Sequence, residues 1–143
     1  MVLTGRTLHE GDGAGPLLVL KEPLSLWGGT DPETGEIVEE RHPQAGCSIA
    51  GTVLALRSGR GSSSSASVLA EQIRIGVGPS AIVLAELDSI LVLGALVAAE
   101  LYGRRTPVVV LSAAEFESLP RSGSASVRAT TESAVVAVPE AAS

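Results

Sequence analysis

Cysteine and aromatic residues are scarce in this chain of 143 residues. Cys47 is the only cysteine, so no disulfide can form within the chain, and the chain alone cannot supply the thiolates that an iron–sulfur cluster or a zinc knuckle needs. A lone cysteine is compatible with a reducing cytoplasm, and we predict that Cys47 is a small packed side chain. The three aromatic residues, Trp27, Tyr102 and Phe116, leave the core to be built from Val, Leu, Ile and Ala.

The charge and the apolar runs exclude two further classes of partner. A net charge of -6 gives no positive surface for a nucleic-acid backbone, and three aromatic residues provide no stacking platform for single strands. The longest apolar run is residues 90–99, whereas a membrane-spanning helix needs about 20 residues, so we predict a buried helix here. Residues 1–13 lack the basic start and apolar stretch of a secretory signal. We therefore expect a cytoplasmic protein that binds neither nucleic acid nor membranes.

Strand-like and helix-like segments alternate in the middle of the sequence, which predicts a parallel β/α unit. Strand-like segments flank this unit and indicate a second sheet or a partial barrel, so we predict an α/β fold with mixed sheets. We expect one domain over residues 1–143, with a frayed tail at 139–143. The predicted strands are 2–8, 17–20, 52–56, 81–85, 107–111, 125–130 and 134–138; the predicted helices run from the serine run to 75, over 89–102 and over 113–118; turns are predicted at 11–16 and 31–35, and an exposed loop at 36–44.

The most informative local feature is a turn rich in glycine and serine between a predicted strand and a predicted helix. Gly59, Arg60 and Gly61 precede four consecutive serines that begin with Ser62. Glycines let the backbone approach a ligand closely, and a helix N-terminus offers free N–H groups and the positive end of its dipole. A serine there can help to bind an anion or can have its alkoxide form stabilised. The alternative is an ordinary loop that ends in a helix cap.

Three known motifs do not fit this turn. A Walker A loop needs Gly-Lys-Ser/Thr, and no lysine lies near. The dinucleotide fingerprint G-x-G-x-x-G fails because Ser64 stands where its third glycine should be, and the G-x-S-x-G elbow fails because Gly61 stands at its serine position.

His9 and His42 are the only histidines, and either could act as a base, a ligand or a phosphoryl carrier. His42 precedes Pro43 in a charged segment, which favours a solvated side chain. The cluster Glu36, Glu39 and Glu40 is interpreted in the same way, as a solvated face.

Several unusual segments follow one another in an order that resembles the small subunit of aconitase X. The resemblance covers roughly residues 3–110, which is most of the chain. The segments that carry it are 23–35 (PLSLWGGTDPETG), 42–43 (HP), 48–51 (SIAG), 58–64 (SGRGSSS), 81–84 (AIVL), 93–95 (LGA) and 100–103 (ELYG).

This resemblance implies a swivelling β/β/α domain of three layers and a hydro-lyase, or dehydratase, in which this chain pairs with a separate large subunit. The large subunit of the family carries an iron–sulfur or iron centre, so we expect no cofactor in this chain. The proton-accepting serine of the family matches Ser62, which we predict to be the catalytic base. We predict substrate contacts from Arg60, which can clamp a carboxylate, and from Gly61, Ser63 and Ser64.

The family acts on (R)-5-phosphomevalonate in archaea or on cis-3-hydroxy-L-proline in bacteria, and we predict the second substrate. The chain has one lysine and so lacks the Lys/Glu enrichment of a hyperthermophile. A phosphorylated substrate would also need more cations than Arg57, Arg60 and Arg74 offer near the turn. Two alternatives from other classes are a swivelling phosphohistidine carrier that uses His42 and a non-catalytic interaction module.

Overall fold

The computed structural model describes residues 1–59 and 63–139, and these form a barrel of strands with the two long helices on one side. Residues 140–143, most of the predicted frayed tail, lie outside the described residues. The strands are β1 (Val2–His9), β2 (Gly11–Val19), β3 (Val53–Leu56), β4 (Ala81–Leu84), β5 (Val108–Val110), β6 (Ser124–Ala129) and β7 (Ala134–Ala137); the helices are α1 (Leu26–Gly29), α2 (Ser64–Ile75), α3 (Ser89–Tyr102) and α4 (Ala113–Glu117).

The strand order around the barrel is β1-β5-β4-β3-β2-β6-β7, and β7 closes it by pairing with β1. The strands β3 to β5 are parallel, as the alternating pattern predicts, β2 also runs parallel to β3, and β1 runs antiparallel to β5. The long strands β1 and β2 each take part in two sheets: their first halves pair with β7 and β6, and their second halves pair with β5 and β3. The predicted second sheet is therefore present, and the barrel is closed rather than partial.

Two apolar cores separate three layers. Alternate residues of the parallel strands, such as Leu54 and Ile82, point to α2 and α3, while their neighbours Val53 and Val83 point to the antiparallel sheet. Because both faces of β3 and β4 are buried, these strands are apolar throughout rather than alternating. The layers are antiparallel sheet, mixed sheet and helices, which confirms the predicted β/β/α fold with mixed sheets.

Both long helices begin and end where the sequence predicts. α2 starts within the serine run and ends at Gly76, whose φ of 85° is left-handed, and α3 ends in the same way at Gly103. The prediction that α3 is a buried helix is correct for one face only. Leu91, Gly94, Ala95 and Ala98 face the core, whereas Leu93, Leu96 and Leu101 on the other face are exposed. In the described part of the chain, we find no helix with the length and apolarity needed to cross a membrane.

The prediction of a turn over residues 11–16 is wrong, because these residues form the first half of β2. A Cβ atom at Gly13 would overlap the carbonyl oxygen of Ser80, and one at Gly15 would overlap the carbonyl oxygen of Gly51. The glycines are thus required by close packing of the strand against two loops, not by a chain reversal.

Cys47 is also placed differently from the prediction. Its side chain is exposed, not packed. The turn at 31–35 is confirmed: the N–H of Gly35 donates to the carbonyl oxygen of Asp31 at 2.8 Å, and the Asp31 carboxylate accepts from the N–H of Glu33.

Candidate active site at the serine loop

The glycine- and serine-rich segment, residues 58–65, is named here the serine loop. It follows the carboxyl end of β3 and leads into α2. Because β2 to β5 are parallel, the segments after these strands lie at one edge of the sheet, which we call the carboxyl edge. Ligand sites of parallel α/β sheets form at this edge, so the fold places the serine loop where a site is expected.

Asp88, which follows β4, holds the start of the serine loop. One carboxylate oxygen, Oδ2, accepts a hydrogen bond from the N–H of Gly59 at 2.7 Å. The other oxygen, Oδ1, caps α3 by accepting from the N–H groups of Ile90 and Leu91 at 3.0 and 3.1 Å. One side chain thus joins two segments at the carboxyl edge.

Ser65 holds the other end of the serine loop. This buried side chain lies in the first turn of α2, and its Oγ is 3.3 Å from Oγ of Ser25 and 3.4 Å from the backbone nitrogen of Trp27, which donates to it. The segment 23–35 is therefore attached to the first turn of α2. Gln72, also fully buried on α2, strengthens the attachment by donating to Oγ1 of Thr30 at 3.0 Å.

The predicted site residues fall into two groups. Arg60, Gly61 and Ser62 lie outside the described residues, so their roles stay predictions. Ser63 is the N-cap residue of α2, although its side chain makes no capping hydrogen bond, and Ser64 is the first residue of the helix. Both side chains are exposed and line an open cleft of about 290 Å³ between α2 and α3, together with Ala66, Ser67, Leu93 and Val97.

His42 is buried, which contradicts the expected solvated side chain. Its Nε2 lies 3.0 Å from the carbonyl oxygen of Glu22 and can only donate there, while its Nδ1 accepts from the N–H of Gln44 at 3.1 Å. With both ring nitrogens engaged, neither is available to accept a phosphoryl group. The interpretation of His42 as a phosphohistidine carrier is therefore wrong, and the residue serves to attach residues 42–44 to the segment that follows β2.

We expect the substitution His42→Ala to lower the free energy of unfolding by about 1–3 kcal/mol, because it leaves a partly buried carbonyl of Glu22 and the backbone N–H of Gln44 without these partners. Urea unfolding of the two proteins measures the difference. Arg41→Ala is the matched control, since Arg41 is the exposed neighbour. Equal stability of the two variants would contradict the structural role of His42.

His9 lies at the opposite edge of the sheet, where β1 pairs with the first residue of β5. Burial of the ring, and then the charge of Arg105, lower the pKa of His9. The position of His9 separates it from the serine loop, so it has no part in this site. Within residues 1–59 and 63–139, no group of three or more His, Cys, Asp or Glu side chains converges on a possible metal position.

The sequence interpretation missed three residues that organise the site: Asp88, Ser65 and Ser25. An aspartate before an apolar helix is a recognisable capping signal, but its contact with Gly59 spans 29 positions and leaves no local signal. The pairing of Ser25 with Ser65 spans 40 positions and is equally invisible in a local pattern.

Comparisons with known proteins identify the family of this chain. The family model described as aconitase X swivel domain matches residues 2–137. A cis-3-hydroxy-L-proline dehydratase of Pseudomonas aeruginosa is 46% identical over 77% of this chain and 19% of that protein. A phosphomevalonate dehydratase small subunit of Methanothermobacter thermautotrophicus is 39% identical over 65% of this chain and 71% of that protein.

A solved structure has the same fold. The crystal structure of Thermococcus kodakaraensis aconitase X in its holo-form superposes with a TM-score of 0.82 at 29% identity, over 98% of this chain and 99% of that chain. The chain spans 19% of the length of the cis-3-hydroxy-L-proline dehydratases that it matches. Since the family model covers nearly every residue and the three-layer fold is shared, the chain belongs to the aconitase X swivel domain family.

Proposed function

We propose that this chain is the swivel component of an aconitase X-type hydro-lyase and that it supplies the serine base for the dehydration of cis-3-hydroxy-L-proline. The observation that carries the proposal is the family match over residues 2–137, with the serine loop at the carboxyl edge of the parallel strands. The remainder of the dehydratase, in a large subunit, completes the active site. Relatives named phosphomevalonate dehydratase small subunit support this division of the enzyme.

The proposed chemistry removes one proton and one hydroxyl from the substrate. Ser62, as its alkoxide, takes a carbon-bound proton while the ring hydroxyl leaves, so that water is lost across two ring carbons and a cyclic enamine or imine acid results. A serine is normally too weak a base for this step. The N-terminus of α2 and the guanidinium of Arg60 lower the cost of its charged form, and Arg60 can alternatively bind the substrate carboxylate.

The departure of the hydroxyl requires a Lewis acid, which an iron–sulfur or iron centre in the large subunit would supply. The donor set of this chain does not fit such a centre: its one cysteine, Cys47, is exposed on a loop and is not joined by other thiolates. The contribution that we assign to this chain is therefore the base and the substrate contacts of the serine loop.

Two observations favour cis-3-hydroxy-L-proline as the substrate. The identity is 46% to the dehydratase of Pseudomonas aeruginosa that bears this name and 39% to the phosphomevalonate dehydratase small subunit. Two arginines considered for a phosphate are already paired with carboxylates: Arg57 with Glu117, and Arg74 with Glu71 in the last turn of α2, at the far end of that helix from the serine loop. A phosphate would have to compete with these partners.

(R)-5-phosphomevalonate is the second candidate substrate. The phosphomevalonate dehydratase small subunit of Methanothermobacter thermautotrophicus matches this chain over 71% of its own length. Steady-state rates of the two-subunit enzyme on both substrates decide between them. We expect a higher kcat/KM for cis-3-hydroxy-L-proline. A preference for phosphomevalonate would overturn the substrate but not the reaction, whereas no turnover of either would favour a non-catalytic interaction module.

Exposed apolar side chains beside the serine loop support contact with the large subunit. Trp27, next to Ser65, and Leu87, next to Asp88, are each 62% exposed. A large apolar side chain gains about 1.5–3 kcal/mol when it is buried. Trp27 and Leu87 therefore favour an interface at the carboxyl edge.

We expect Leu87→Asp to weaken binding to the large subunit by roughly 10–100-fold, because an apolar contact is replaced by a carboxylate that must be desolvated. Titration calorimetry with the large subunit measures the dissociation constant. Leu101→Asp is the control: Leu101 is 67% exposed but lies at the other end of α3, roughly 20 Å away. Equal losses in the two variants would contradict an interface centred on the carboxyl edge.

A further inference from the structure

We propose that Asp88 is a positioning residue for proton abstraction, because its second carboxylate oxygen holds the backbone of Gly59 near the start of the serine loop. This inference rests on the proposed function, in which Ser62 is the base. Its evidence is independent of that function: a 2.7 Å hydrogen bond from the N–H of Gly59 to Oδ2 of Asp88. Gly59 is three residues before Ser62, so a shift of Gly59 is passed along a short stretch of covalent chain to the base.

The division of labour between the two carboxylate oxygens distinguishes Asp88 from an ordinary helix cap. Capping needs one side-chain oxygen, and Oδ1 alone serves the N–H groups of Ile90 and Leu91. Oδ2 is left to accept from a segment 29 positions earlier in the chain. Hydrogen bonds to a charged acceptor are about twice as strong as neutral ones, so this contact can fix the position of the Gly59 backbone.

The residue type at position 59 fits this contact. A Cβ atom added to Gly59 would lie 2.5 Å from Oδ2 of Asp88 and 3.4 Å from Cδ1 of Leu91. Any other residue type at position 59 would therefore require the Asp88 carboxylate to shift. The hydrogen bond is partly buried, and Leu24 and Leu26 line a small cavity beside it.

Two substitutions separate capping from positioning. Asp88→Ser keeps an oxygen that can cap α3, but its shorter side chain has no second oxygen for Gly59. Asp88→Asn keeps the shape and a capping oxygen, but its amide group presents a donor to the N–H of Gly59. Ser112→Ala is the matched control, because it removes a capping side chain of α4, whose oxygen accepts from the N–H of Glu115.

The experiment compares these variants as two-subunit enzymes acting on cis-3-hydroxy-L-proline. We expect Asp88→Ser and Asp88→Asn to lose about 10–100-fold in kcat, with KM within about twofold and with thermal stability close to that of the wild type, because misplacing a reacting group slows chemistry more than binding. Ser112→Ala should change neither kcat nor KM. Unchanged kcat in both Asp88 variants would overturn the proposal, whether or not their stability falls.

A second readout does not depend on activity. Amide hydrogen exchange of Gly59 should accelerate by about tenfold in both Asp88 variants, because they lose the hydrogen bond to the carboxylate that protects the Gly59 N–H. Exchange of Gly59 should stay unchanged in Ser112→Ala, which keeps this bond. Unchanged exchange would also overturn the proposal. A wild-type enzyme that dehydrates neither substrate would refute the proposed function and the catalytic role of Asp88, while the exchange rates would still report whether Asp88 fixes the loop.

Discussion

Replacing Ser62 by alanine is expected to reduce kcat of the assembled enzyme by about 10²–10⁴-fold, the usual contribution of a general base. The reason is that the substitution removes the hydroxyl that we propose accepts the proton from carbon. The assembled complex should keep its stability and its affinity between subunits, because the substitution removes a single oxygen atom. Steady-state kinetics together with thermal unfolding of the complex measure both effects.

The neighbouring serines provide matched controls within the same loop. Ser63→Ala should change kcat and stability only slightly. Ser63 is the N-cap residue of α2, but its side chain makes no capping hydrogen bond. Ser64→Ala should cost at most about 1 kcal/mol of stability, the value of a helix cap. If Ser62→Ala stays within a few-fold of the wild type while one of these variants loses activity, the base is that other serine.

The second large effect concerns stability. Gly15→Ala should lower the free energy of unfolding by about 3 kcal/mol, because the added methyl group would overlap the carbonyl oxygen of Gly51 and force β2 away from that loop. Gly13→Ala should behave similarly against the carbonyl oxygen of Ser80. Urea unfolding gives the free energies.

Ala14→Val is the control for both glycine variants. Ala14 lies between them on the exposed side of β2, so that extra bulk there meets solvent. A loss in Ala14→Val as large as that in Gly15→Ala would mean that β2 tolerates no enlargement on either face, and the argument from close packing would fail.

These glycines also show where sequence interpretation reaches its limit. The helices α2 and α3 and the apolar strands β3 to β5 could be predicted because their signals are local: a periodic pattern, a glycine after the last turn, a run of valine and leucine. Gly13 and Gly15 look like turn residues by the same local rules. Pairing with β6 makes them strand residues, and the approach of two loops more than 30 positions away requires them to be glycines.

The candidate site likewise has a part that could be predicted from local sequence and a part that could not. The turn with Ser62 was recognisable because glycines and serines between a strand and a helix form a local motif, and the family resemblance then suggested which serine is the base. The contacts that hold this turn, from Asp88 and Ser25, join distant parts of the chain and could not be predicted. The prediction of a solvated His42 is wrong for a related reason: the charged residues around it give no local sign of its hydrogen bond to Glu22, 20 positions earlier in the chain.

The closure of the barrel has a consequence for the order of folding. Val2 pairs with Ala137, and the second half of β1 pairs with β5, so the first strand finds both its partners more than 90 positions later in the chain. Contacts of such high sequence separation slow folding because a long loop must be closed before they form. The helices and the β3–β4 pair can form from nearby segments, whereas the second half of β1 must wait until synthesis reaches β5, and its first half until synthesis reaches β7. During that interval β1 is an open strand edge, the kind of surface on which partly folded chains associate.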